Sequence, residues 1–168
     1  MLEHENKGTT YDKTKHDPKV KLGGKSDCSG TVSESITYAG ETDPNISNSD
    51  KPNQSGVENM VDNMQKIDDN KQVEEGYAAV THDKTHVGLV TKVNKDADGN
   101  IVSFNVTHNE IGWERKDASG KVVQRGGGKV HTDVIRIGKI GKTKAEGATR
   151  MEQKFYGLYK WDDLNTAK

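Results

Sequence analysis

The chain has 168 residues, a formal net charge of −1 and a mean hydropathy of −0.95, with 30% hydrophobic and 5% aromatic residues. That balance excludes broad electrostatic attraction to nucleic acid or to an anionic membrane surface, and no apolar stretch approaches the length of a membrane helix. One domain across 1–168 is expected, with a small core, long polar loops and residues 1–7 a flexible or appended lead; the single cysteine excludes an internal disulfide.

Asp27-Cys28-Ser29-Gly30 opens the first predicted helix. Val32, Ile36 and Ala39 continue an apolar stripe at helical spacing, Gly40 stops it, and one turn back from Val32 the stripe reaches Cys28. At a helix start, unpaired N–H groups and the dipole favour an anion, so a thiolate of lowered pKa is expected. Its bland alternative is a small, inert core cysteine. Residues 41–56 read as a polar loop. Ser55 with Glu58 forms a capping-box pattern, and Val57, Met60, Val61, Met64 and Ile67 make the apolar face of a second helix that Asp68-Asp69-Asn70-Lys71 ends.

A strand opened by His86 follows, Thr85-His86-Val87-Gly88-Leu89-Val90. Asp96-Ala97-Asp98-Gly99-Asn100 then turns the chain into a second strand, Ile101 to Thr107, because Asp-Gly between β-rich runs marks a hairpin. Val102, Phe104 and Val106 share one face, His108 continues it inward, and Asn105 faces the other way. Trp113 to Lys116 and Lys121 to Arg125 flank the turn at 118–120. Gly126-Gly127-Gly128 precedes a strand from Val130 to Ile137, and Phe155 to Trp161 reads as the last strand. Helices first and a meandering antiparallel sheet after make the fold class α+β.

A cysteine at a helix start, a histidine opening a strand and a polar residue on the next strand match a nucleophile, a base and an orienter. Gly88, on the same face as His86, would leave room for the strand to approach the cysteine's helix; a close-packing or bulge glycine is the plain alternative. Three decoys carry less. Asn94 to Asn105 mimics half a calcium loop, but Asn105 stands where a bidentate glutamate is required. His82 and His86 would pair on zinc only in a helix, whereas the region reads as strand. The three glycines lack a following Lys-Ser/Thr, so they do not form a phosphate loop. No metal and no cofactor is expected.

The Asp27-Cys28-Ser29-Gly30 box with its amphipathic helix, followed by His86-Val87-Gly88-Leu89-Val90 on a strand, resembles the NlpC/P60 cysteine peptidases, which cut the peptide stems of bacterial cell walls. Gly8-Thr9-Thr10-Tyr11 is similar to the family's tyrosine-bearing lead-in, and Lys21-Leu22-Gly23-Gly24-Lys25 to its glycine pair. Val73-Glu74-Glu75-Gly76-Tyr77-Ala78 stands where the family has a proline-glycine-aspartate turn, and here the proline and aspartate are missing. The likeness covers residues 8 to 110.

That resemblance implies a papain-like fold with N-terminal helices packed on an antiparallel sheet. It makes Cys28 the nucleophile, His86 the base and His108 the orienter, with Asn105 and Asn109 as competitors for the third role. Tyr11, Asp27 and Ser29 would line the pocket for the amino end of the stem peptide. The implied reaction is hydrolysis of peptidoglycan stem amides, at the γ-D-glutamyl–diaminopimelate bond. Rival readings are an N-acetylmuramoyl-L-alanine amidase, a thiol acyltransferase on the same scaffold, or a catalytically silent wall- or partner-binding module. Residues 1–15 are charged and carry no signal-peptide pattern. The expected setting is therefore a secreted antibacterial effector delivered to a target cell's periplasm, resembling type VI amidase effectors and polymorphic toxin domains. By that analogy an immunity protein is an expected partner, and no nucleic-acid or membrane partner is expected.

Overall fold

The Asp-Gly turn anchors the sheet. In the computed structural model, Asp96 Oδ1 accepts from the N–H groups of Asp98 (3.0 Å) and Asn100 (2.8 Å), and Gly99 takes the left-handed conformation the turn requires (φ 84°). The carboxylate is spent on the turn, so this segment is a hairpin and not a cation loop. The structure describes residues 1, 7–11, 24–45, 56–110, 113–116, 118–126, 128–140 and 149–160. The lead at 2–6, the glycine pair's 21–23, Ser55, Gly127 and Trp161 lie outside them.

Short strands β1 (Thr10–Tyr11) and β2 (Lys25–Ser26) pair in parallel ahead of helix α1 (Cys28–Tyr38). Asp27 caps α1, accepting from Gly30 N–H at 2.7 Å, and the chain leaves the helix through Ala39 and Gly40 (φ 89°), as the sequence predicts. Helix α2 (Gly56–Asp62) is shorter than expected. Its apolar pattern runs on to Ile67, but Gln65–Ile67 is strand β3. The residues Leu158 to Lys160 offer these backbone groups a partner strand, and Ile67 buries in either geometry, so periodicity could not separate the two.

Strands β4 (Ala78–Thr81), β5 (Val87–Lys95), β6 (Ile101–Asn109), β9 (Val130–Arg136) and β10 (Phe155–Lys160) complete a six-stranded antiparallel sheet in the order β3-β10-β4-β5-β6-β9. A separate hairpin joins β7 (Trp113–Lys116) and β8 (Val122–Gly126). The fold is α+β, with helices α1 and α2 on one face of the sheet. Cys28, Val32 and Ile36 of α1 pack with Val57 and Met60 of α2 on Val80, Val87 and Leu89. On the other face Val90, Phe104, Val106 and Ile135 pack with Met151 and Phe155. Val102, assigned to that inner row from its spacing, is 45% exposed, because the hairpin's tip extends beyond the core.

Helix α3 (Arg150–Lys154) closes the second face with a capping box between Thr149 and Glu152. Glu152 is fully buried and holds Arg136 through two bonds of 2.7 Å while accepting from Arg136 N–H and Thr149 N–H, each at 2.8 Å. Burial alone would raise this carboxyl; the Arg136 bonds and the two N–H donors outweigh it and hold the group below the usual carboxylate range.

Candidate functional site

Alternation along β5 and β6 decides which residues meet. Gly88 pairs with His108, and a Cβ on Gly88 would lie 2.7 Å from His108 Cβ, 2.6 Å from Val106 Cγ1 and 3.0 Å from Thr107 O. The close approach that this glycine permits is to β6, which is the close-packing alternative rather than an approach to the cysteine's helix. His86 sits in the turn just ahead of β5, and its Nε2 lies 2.8 Å from His108 Nδ1, with the rings nearly perpendicular. His108 is fully buried.

The turn that carries His86 is held by Asp83. Its Oδ1 accepts from Thr81 Oγ1 and Thr85 Oγ1, both at 2.7 Å, and Lys154 Nζ lies 3.6 Å from Oδ2. Partial burial would raise the Asp83 carboxyl, but these hydroxyls and the Thr85 N–H keep it well below the usual range. His82 lies in this same exposed turn, so His82 and His86 do not share a helix face.

Cys28 approaches from the other face. It is 5% exposed, and its Sγ donates to Thr85 O at 3.8 Å, so it rests on the backbone flanking His86. The lowered pKa expected at the helix start is overturned. Burial, followed by the Asp27 charge, pushes the thiol up to about 12, against the pull of the Val87, Ser29 and Cys28 N–H groups. Asp27 itself takes the helix's N–H of Gly30 and the Ser29 hydroxyl (3.1 Å), filling the anion position that a thiolate would use.

The competitors for the third role separate cleanly. Asn109, fully buried, donates through Nδ2 to Ser26 O (2.8 Å), Thr31 Oγ1 (3.0 Å) and Thr10 O (3.3 Å), pinning β1, β2 and α1 to the sheet. Asn105 accepts from Asn94 at 3.0 Å. His108 is the one bonded to His86. Tyr11 lies in β1, whose partner β2 ends one residue before Asp27.

Beyond the predicted residues, β9 supplies two more to the His108 face. His131 stands directly opposite His108 with ring centroids 4.3 Å apart, and Asp133 Oδ2 is 3.5 Å from His108 Nε2. Glu110 Oε2 is 3.7 Å from His131 Nε2. Period-two spacing of His131 and Asp133 is visible in the sequence, but the register that brings them to His108 is not. No helix among the described residues is long and apolar enough to cross a membrane. No protein-family model, curated protein or solved structure matched the chain.

Proposed function

We propose that the chain is a cysteine hydrolase with a papain-like NlpC/P60 fold that cuts amide bonds in peptidoglycan stem peptides. The observation that carries this reading is the 2.8 Å bond between His86 and His108, built beside the backbone on which Cys28 rests at the start of α1. A histidine with one ring nitrogen held by a buried neighbour is an oriented base, as thiol hydrolysis requires. In this scheme His86 takes the Cys28 proton and the thiolate attacks the amide carbon. Backbone N–H groups at the helix start stabilise the oxyanion. The imidazolium then protonates the leaving amine, and a water deprotonated by His86 releases the acyl group. Because the resting thiol is protonated and bonded to Thr85 O, the nucleophile forms by proton transfer once substrate has drawn His86 and Cys28 together. Tyr11, Asp27 and Ser29 remain the candidates for the amine end of the stem. The γ-D-glutamyl–diaminopimelate bond, action in a target cell's periplasm and an immunity partner belong to the same proposal.

Mass spectrometry of defined peptidoglycan fragments tests it. Wild-type protein should release one set of cleaved stems, whose masses identify the bond, and Cys28→Ala should release none. Equal release by both forms would remove the thiol from the reaction. The burial of Cys28 favours a second reading, the silent wall-binding module, in which both forms bind sacculi equally and neither cuts.

A further inference from the structure

We propose that His108, Glu110 and His131 hold a divalent transition-metal ion on the sheet face opposite α1. One ligand atom from each of the three lies within 4.8 Å of the others. Their placement follows from the register: His108 and His131 are cross-strand partners, and Glu110 is two residues beyond His108 on the same face. The cluster spans a gradient of burial, with the His108 side chain at 0% exposure, Glu110 at 8% and His131 at 25%, so an ion could enter from the His131 side.

Protonation chemistry points the same way. His131 Nδ1 lies 3.1 Å from Lys129 O. A carbonyl can only accept, so Nδ1 carries the proton, and in the neutral ring the Nε2 lone pair is turned to the Glu110 carboxylate. Two lone pairs facing each other are reconciled by a proton or by a metal cation between them. His108 is similarly arranged. Its Nδ1 is taken by His86, while its buried Nε2 makes no hydrogen bond among the described residues, with Asp133 Oδ2 3.5 Å away. Histidine ligands characteristically bond through their second nitrogen to a carbonyl or side chain; His131 does so to Lys129 O, and His108 does so in the tautomer in which its Nδ1 donates to His86 Nε2.

Two imidazoles and a carboxylate suit zinc and its neighbours rather than calcium or magnesium, which prefer all-oxygen sets. Tetrahedral bonds of about 2.1 Å set ligand atoms about 3.4 Å apart, so the site closes somewhat on binding. Asp133, or a water, would complete the coordination. The site shares His108 with the proposed hydrolase but needs the opposite tautomer of the His86–His108 bond, so it does not rest on that reading, and its test does not use catalysis.

The test is calorimetric titration of the tag-free 168-residue chain with Zn2+ alone, alongside the visible absorption of the Co2+-loaded form. Wild-type protein should bind one equivalent, and Co2+ should give the intense bands of a four-coordinate nitrogen–oxygen site. His131→Gln and Glu110→Gln should each weaken binding roughly tenfold or more, whereas His82→Ala and Cys28→Ala should bind as wild type. His131 is partly exposed, so its variant should fold, which its circular dichroism would verify. Absence of stoichiometric binding by folded wild-type protein would overturn the proposal and leave the cluster as a His131–Glu110 ion pair. Binding that survives in both glutamine variants, or is lost in Cys28→Ala, would overturn it as well.

Discussion

His86 Nε2 and His108 Nδ1 lie 2.8 Å apart across 22 residues of sequence, and Gly88, the cross-strand partner of His108, allows the close approach of β5 to β6 beside them. A β-carbon there would stand 2.7 Å from His108 Cβ, well inside contact distance. Gly88→Ala should therefore cost about 1–3 kcal/mol of stability through overpacking and displace His108. The check is chemical denaturation together with the His108 imidazole resonances. An unshifted His108 signal would mean that the pair does not depend on the glycine.

The histidine pair and Asn109 should respond differently to truncation. On the proposed mechanism, His86→Ala should lose nearly all hydrolysis and His108→Ala a smaller part, since an orienter tunes rather than performs proton transfer. Asn109→Ala removes the hydrogen bonds, two of them buried, that tie β1, β2 and α1 to the sheet. Its main effect should be on stability, about 1–3 kcal/mol. Melting curves beside activity on purified sacculi separate the two outcomes; a fully stable but inactive Asn109 variant would move the third role to that residue.

Thiol reactivity should track the buried state of Cys28. With its pKa pushed up to about 12, the thiol is protonated at neutral pH. Alkylation by iodoacetamide should then be slow at pH 7 and rise about tenfold per pH unit with no plateau up to pH 10. A pre-formed thiolate–imidazolium pair would instead plateau near neutrality. Rates measured across that range decide between them.

Glu152 governs acid stability on the second face. Its folded-state carboxyl is held below the ordinary value of about 4.3, with burial opposing and the Arg136 bonds prevailing. A depressed acid contributes stability that is fully present above the ordinary value and is lost as pH falls through the lower folded value. Glu152→Gln should cost about 2–3 kcal/mol at pH 7, and its difference from wild type should shrink below pH 4. A gap independent of pH would show that the charge does not contribute.

Local signals were strong where a single segment decides its own shape. Asp27 as a cap, the 3.6-residue stripe of α1, Gly40 as its stop and the Asp-Gly hairpin all follow from short-range sterics and hydrogen bonding, and all are present. The inward direction of His108 followed from period two alone. Tertiary structure decided the rest. Gln65–Ile67 became a strand because β10 offered it partners. The Cys28 thiol is raised because burial and Asp27 outweigh the helix terminus. Asn109 is a pin because β1 and β2 pack over it. His131 and Asp133 join His108 because strand register, which depends on the whole sheet, sets which side chains face each other. A sequence fixes the period of a strand, but the neighbour across the ladder is chosen by the packing of both faces.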